Sequence, residues 1–185
     1  MELLIKKDMR APLKMKRSAI SPERRRDAQA SLLSSLCPLL KQFKTILSFY
    51  NLPDEIDTLP LNTFLAEEGR LLLPKISEDS LLIYRVQNPH CDLLFHKWGL
   101  QEPDPSKCPQ VTLGTIDCVL VPGLGFDKDR QRIGYGKGHY DRLLAQFRQL
   151  AVPPITIGLG FKEQFCEGGL PCEPHDIALN RVRLF

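Results

Sequence analysis

No stretch of this 185-residue chain approaches the roughly 18–20 consecutive apolar residues that a membrane-crossing helix needs. A signal-peptide pattern is missing too, since Met1-Glu2-Leu3-Leu4-Ile5 runs straight into charged residues. The six cysteines, at 37, 91, 108, 118, 166 and 172, include no Cys-x-x-Cys pair. Cys166, Cys172 and His175 are too irregularly spaced for a zinc site. Reduced thiols in a soluble, cytoplasmic protein are therefore expected. The net charge of +3 falls far short of the basic excess of a nucleic-acid binder, and there is no aromatic-rich RNA-binding pattern. Neither a nucleic acid nor a membrane is an expected partner.

What remains is an ordinary globular composition, 43% hydrophobic and 25% charged, at a length that suits one domain over 1–185 with a full core. A monomer is the expected state. There is no repeat and no low-complexity linker.

Helices and strands alternate along the chain. A basic helix is expected to about Arg17, kinked or divided at Pro12. A second begins at Ser21 as N-cap with Pro22 at its first position, and should stop near Cys37, ahead of Pro38. Residues 45–50 read as a strand. A helix from Leu59 or Pro60 to Glu68 follows, closed by Gly69. Residues 70–73 form a short buried strand ending at Pro74, and further strands are expected at 81–86, 116–121, 155–159 and 182–184. The Pro-rich 89–109 stretch reads as an irregular loop. Such alternation implies an α/β fold with a largely parallel sheet, its ligands beyond the carboxyl ends of the strands. The loops after Tyr50, Val121 and Leu159 would then gather on one edge.

The most informative segment follows the strand at 116–121. Val121-Pro122-Gly123-Leu124-Gly125-Phe126-Asp127 leads into Arg132-Ile133-Gly134-Tyr135-Gly136-Lys137-Gly138-His139-Tyr140-Asp141-Arg142. A helix carries on from there, with Tyr140, Leu143, Leu144, Phe147 and Leu150 at helical spacing. Glycines at alternate positions let backbone N–H groups approach a ligand, and a helix N-terminus adds unpaired donors and partial positive charge. With Lys137 and Arg132 alongside, the segment suits phosphate. It is neither a P-loop, because position 131 is Gln and Gly138 follows Lys137, nor a dinucleotide fingerprint, because its glycines fall at 134, 136 and 138. Read on local pattern alone, a structural turn is the competing reading.

The wording resembles that of the 5-formyltetrahydrofolate cyclo-ligase (5,10-methenyltetrahydrofolate synthetase) family. The "PGLGFD" block, "RIGYGKGHYDR" and the later "EPHD" carry the resemblance. So do the opening Lys6-Lys7-Asp8-Met9-Arg10, the helix start Ser21-Pro22-Glu23-Arg24, Asp54-Glu55-Ile56-Asp57-Thr58 and Trp98-Gly99-Leu100-Gln101-Glu102-Pro103. The blocks occur in the family's order over nearly the whole chain. The resemblance implies a three-layer αβα fold with a largely parallel sheet, related to the CoA-transferase and sugar-phosphate isomerase group. It also implies an ATP- and Mg²⁺-dependent ring closure on 5-formyltetrahydrofolate, in its mono- or polyglutamyl form.

The resemblance assigns roles as well. Lys6 and Arg10, with Lys7, Asp8 and Met9 between them, align with a segment that clamps nucleotide phosphates. Arg132, Ile133, Gly134, Tyr135, Gly136, Lys137, Gly138, His139 and Tyr140 match the ATP-binding loop, of which 135–139 also face the folate. Lys137 and Arg132 are the expected catalytic cations. Asp141 and Asp176 match two carboxylates placed around magnesium, a cation that favours hard oxygen donors shared with phosphates. Leu52 and Asp57 match positions facing the folate, where a carboxylate can accept hydrogen bonds from a pterin. Trp98 is a further candidate, for stacking.

Two departures stand out. His139 takes a place where the family usually has Tyr, although Tyr140 is retained, and Lys137 is Gly in many bacterial members. Without the resemblance, Lys137 reads as a solvated loop lysine, Lys6 and Arg10 as a solvated helix face, Asp141 as a helix-dipole partner, Asp57 as a plain loop residue, Asp176 as a turn residue or N-cap, and Trp98 as packing. A sugar-phosphate or CoA-handling enzyme of the same fold and a non-enzymatic nucleotide- or RNA-binding module are the competing functions.

Overall fold

The computed structural model describes residues 5–78, 80–96, 99–173 and 176–185; Trp98 and His175 lie outside these. Its centre is a six-stranded sheet of order β10-β9-β6-β1-β2-β3. These strands are β1 (Ile46–Leu47), β2 (Leu71–Ser77), β3 (Ser80–Arg85), β6 (Cys118–Val121), β9 (Ile155–Gly160) and β10 (Arg181–Leu184). All neighbours run parallel except β2 and β3. Two short antiparallel ribbons stand apart, β4 (Leu93–Phe95) with β5 (Gln101–Pro103), and β7 (Gly125–Phe126) with β8 (Arg132–Ile133). The helices are α1 (Lys6–Ser18), α2 (Pro22–Leu40), α3 (Leu59–Glu67) and α4 (His139–Phe147).

Strand residues alternate between the two sheet faces, and two buried clusters follow from that. Ile46, Leu71, Leu73, Cys118, Leu120, Ile157 and Leu159 meet Ala28, Leu32, Leu36 and Leu40 of α2 and Leu61 and Leu65 of α3. Leu47, Leu72, Val119 and Val121 meet Leu143, Leu144 and Phe147 of α4 on the opposite face. Each of these α4 side chains contributes about 1.5–3 kcal/mol by burial. Leu144→Ala would cost roughly 2–5 kcal/mol and loosen the helix that starts at the glycine-rich segment.

The α/β class and the mostly parallel sheet match expectation; several boundaries do not, and proline explains most of the differences. Helix α1 passes Pro12 unbroken. Pro12 and Asp8, whose carbonyl loses its donor, are both exposed, so that carbonyl is open to solvent. Helix α2 continues past Pro38 to Leu40, because Leu40 completes the buried stripe Ala28-Leu32-Leu36-Leu40. Strand β2 continues through Pro74 to Ser77. Val86 N donates to Leu71 O while Ser48 N donates to Leu72 O, so even-numbered β2 residues face β1. At Pro74 that neighbour has already ended, and no ladder bond is lost. The expected loop at 89–109 contains the β4–β5 ribbon, and the polar spacer between Asp127 and Arg132 is the turn of β7–β8. Asp127 builds that turn: its Oδ1 accepts from Asp129 N and Gln131 N, both at 2.9 Å, and its Oδ2 from Leu170 N at 2.9 Å.

Candidate active site

Strands β1, β6 and β9 end on one edge, and the loops beyond them meet. Tyr135 of the glycine-rich loop donates its hydroxyl to Glu55 Oε1 at 2.5 Å. Buried Gln164, after β9, donates to Gly123 O at 2.7 Å. The three-loop edge expected from the strand directions is present.

Strand β8 ends at Ile133 and the glycine-rich loop runs from Gly134 to Gly138, the left-handed N-cap of α4. Two of its glycines lie against arginine side chains, and the positive φ at Gly136 favours glycine there. A Cβ on Gly134 would lie 2.8 Å from Arg132 Nη1, and one on Gly136, whose φ is +92°, would lie 3.1 Å from Arg10 Cζ. Arg10 Nε also donates to Gly134 O at 3.1 Å. Arginines from α1 and β8 thus press on the loop backbone. Lys137 is exposed at its tip; its carbonyl accepts from Arg142, and its ammonium has no partner among the described residues.

Arg132 is almost buried, at 9% exposure. Its Nη2 donates to Asp141 Oδ1 at 2.5 Å and its guanidinium lies 5.8 Å from the Tyr140 ring centroid. Burial pulls the Arg132 pKa down, opposed by Asp141, Tyr140 and Asp176. Both candidate magnesium carboxylates therefore act on this one cation. Arg132 Nε and Tyr140 Oη are buried without a hydrogen-bond partner among the described residues. Burial, followed by the charge of Glu55, holds the Tyr140 phenol protonated well above its ordinary range. A ligand atom or a water could satisfy both of these atoms beside the glycine-rich loop.

At the other end of α1, Lys6 forms an ion pair with Asp176 and lies 3.3 Å from Glu173 Oε2. Lys7 and Asp8 point to solvent, and Met9 is half-buried. No group of three metal-binding side chains occurs among the described residues. Asp141 and Asp176 offer hard oxygens, as suits a magnesium ion that keeps waters and shares phosphate oxygens rather than one held in a protein cage. Carboxylates of that kind suit Mg²⁺; in this structure Arg132 pairs with Asp141 and Lys6 with Asp176.

On the folate side the two candidate positions separate. Asp57 Oδ1 accepts from Leu59 N at 2.9 Å and its Oδ2 from Gln29, so this carboxylate braces the start of α3. Leu52 contributes its backbone N–H to Glu55 Oε2 at 2.9 Å. The carboxylate that reaches the glycine-rich loop is Glu55, which sequence reasoning passed over. Burial pushes Glu55 above the usual carboxylate range, opposed by the bonds from Tyr135 and Leu52 and by Arg17. Arg17 itself, also passed over, is buried among Asp54, Glu55 and Tyr135. Its place in the Lys6–Arg10–Arg17 stripe was the one available signal.

The fold and this edge define an α/β protein with a glycine-rich loop flanked by cations, Arg10 from α1 and Arg132 from β8. The 5-formyltetrahydrofolate cyclo-ligase family model matches residues 4–184, and the chain belongs to that family. It is 32% identical to the 5-formyltetrahydrofolate cyclo-ligase of Mus musculus, over 96% of this chain and 92% of the mouse protein. Against the enzyme of the same description from Escherichia coli K12 the identity is 29%, over 92% and 94%. The solution structure of Aquifex aeolicus 5,10-methenyltetrahydrofolate synthetase superposes with a TM-score of 0.81 at 32% identity, covering 97% of this chain and 89% of that one. The Mycoplasma pneumoniae synthetase shares the fold, with a TM-score of 0.76 at 24% identity over 97% and 98%. The chain is thus an enzyme of folate one-carbon metabolism. Among the described residues no helix is long and apolar enough to cross a membrane.

Proposed function

We propose that this chain closes the folate ring by phosphoryl transfer to the formyl oxygen. The conversion of 5-formyltetrahydrofolate to 5,10-methenyltetrahydrofolate, with use of ATP, comes with the family. The chemical difficulty is that the formyl oxygen of an amide-like group leaves poorly. Transfer of the γ-phosphoryl from ATP to that oxygen releases ADP and gives an iminium phosphate. N10 then bonds to the formyl carbon and loses its proton, and the C–O bond breaks to release phosphate. No covalent nucleophile from the protein is required; alignment and charge neutralisation are.

The observation that carries this reading is the approach of Arg10 and Arg132 to the loop at 134–138, which itself bears Lys137, with Arg132 Nε unpaired among the described residues. Arg10 and Lys6, on one face of α1, hold the nucleotide phosphates, with Lys7, Asp8 and Met9 forming the rest of that segment. Arg132 holds the loop and donates toward the phosphates. Lys137, its charge unspent, meets the phosphoryl group in transit. Ile133, Gly134, Tyr135, Gly136, Gly138, His139 and Tyr140 complete the nucleotide-facing surface. Magnesium, held by Asp141 and Asp176, would supply charge neutralisation at the phosphates when bound. Glu55 and Tyr135, with Leu52 and Asp57 behind them, receive the folate.

We further read the fold as a member of the CoA-transferase and sugar-phosphate isomerase group. The enzyme works as one domain over 1–185, as a cytoplasmic monomer with small molecules as its only partners. Purified protein given Mg²⁺, ATP and 5-formyltetrahydrofolate should form the methenyl product, followed by its near-ultraviolet absorbance. Folded protein that gives no product above the enzyme-free rate would overturn the assignment.

A further inference from the structure

Arg17 is the largest fully buried side chain among the described residues, at 1% exposure. Its Nη2 lies 2.7 Å and its Nε 3.2 Å from Asp54 Oδ2, and its Nη1 lies 3.6 Å from Glu55 Oε1. The same Nη1 donates to Gly123 O at 3.4 Å, and the guanidinium stands 5.4 Å from the centre of the Tyr135 ring. One side chain of α1 therefore touches the loop after β1, the loop after β6 and the glycine-rich loop. Lys6, Arg10 and Arg17 fall four and seven positions apart on α1, which puts all three on one face. Arg10 braces the glycine-rich loop at Gly134 and Gly136, and Arg17 braces it between them, at Tyr135.

A buried guanidinium is a poor way to gain stability, since an apolar side chain of similar volume often does as well or better. Its value lies in fixing what it pairs with. We propose that Arg17 is a positioning residue for the cyclisation, holding the Glu55 carboxylate and the Tyr135 ring in one cluster and so setting where the folate meets the phosphoryl-bearing loop. This rests on the assignment of Glu55 and Tyr135 to the folate side. Arg17 acts through these two groups.

The groups facing Glu55 are Arg17 from α1, Asp54 from its own loop, Tyr135 from the glycine-rich loop and Tyr140 from α4. Arg17 is the cation among them and favours the ionised carboxylate. Removing its charge moves Glu55 protonation to higher pH.

The test compares Arg17→Lys, Arg17→Met and Asp54→Asn with wild type in calorimetric binding of 5-formyltetrahydrofolate, in turnover and in thermal melting. A small misplacement of a reacting group can cost about 100-fold. The Arg17 variants should lower kcat/KM for the folate by about 10- to 100-fold, with KM for ATP changed less than about 3-fold. In Arg17→Met the acid limb of the folate kcat/KM profile should move to higher pH, and Arg17→Lys should restore its position. Asp54→Asn keeps the buried arginine and loosens only its strongest contact. It should weaken folate binding in the same direction, and it decides the matter should neither Arg17 variant fold. Lower melting temperatures with unchanged folate binding and an unchanged pH profile would make Arg17 a stability residue and overturn the proposal. Wild-type protein that fails to bind the folate at all would instead overturn the assignment of Glu55 and Tyr135.

Discussion

Lys6 and Asp176, 170 positions apart in the chain, form an ion pair in which the two side chains are only 12% and 9% exposed. The pair ties the N-terminal end of α1 to the segment ahead of β10. It also sets a candidate phosphate ligand against a candidate magnesium ligand. Each neutralises the other in this structure.

Asp176→Asn and Asp141→Asn each remove one negative oxygen with little change of shape. Each should raise the magnesium concentration for half-maximal activity. Lys6→Ala should instead raise KM for ATP, by about 10- to 100-fold if its bond to phosphate is worth roughly 1.5–3 kcal/mol. Magnesium and ATP titrations of the three variants check this. Wild-type magnesium dependence in Asp176→Asn would make that residue a structural ion-pair partner and leave the metal site as drawn untenable.

Lys137 carries an unspent charge on an exposed loop, so its removal should not affect folding. Lys137→Ala should lower kcat about 30- to 1,000-fold, corresponding to roughly 2–4 kcal/mol of transition-state stabilisation. Steady-state kinetics distinguish this from ground-state anchoring, which would raise KM for ATP and spare kcat.

Glu55 and Asp57 offer a side-by-side comparison. Glu55→Gln should raise KM for the folate more than Asp57→Asn does, because Glu55 meets the glycine-rich loop while Asp57 is committed to Gln29 and Leu59. Asp57→Ala should mainly destabilise the start of α3, by about 0.5–2 kcal/mol. Folate titration and thermal melting on the three variants check both statements. A larger folate effect at Asp57 would return the pterin contact to that residue.

Cys118 lies in the centre of the sheet, where burial, and then the nearby Asp117, push its thiol up to about 12. The unfolded chain ionises this thiol from its ordinary value of 9.0. Between those values the folded state keeps a proton that the unfolded state has lost, so stability falls as pH rises. Cys118→Ala should flatten the decline of Tm from about pH 9 upward relative to wild type. At neutral pH, thiol reagents should reach exposed Cys91 and Cys172 in the folded protein and leave Cys118 protected. Prompt labelling of Cys118 would contradict its burial.

The pattern along the chain was enough for the α/β class, the parallel central strands and the glycine-rich segment opening a helix. Those features are local: apolar runs of strand length, an N-cap Ser with a following Pro, and alternate glycines before a helical stripe all leave marks in adjacent residues. Proline did not divide the helix at 12 or end the elements at 38 and 74, because its cost depends on whether the lost bond faced water, a last turn or a strand that had already ended. Only the packed chain settles that. The site divides the same way. Arg132, Lys137 and the glycines were legible because they share one segment. The pairing of Lys6 with Asp176, the choice of Glu55 over Asp57 to meet Tyr135, and the burial of Arg17 depend on loops from separate strands meeting at one sheet edge. Identity and spacing within a segment say what a side chain can do. Which charge it faces is fixed by contacts between residues far apart in the chain, and these exist only once the sheet has brought its loops together.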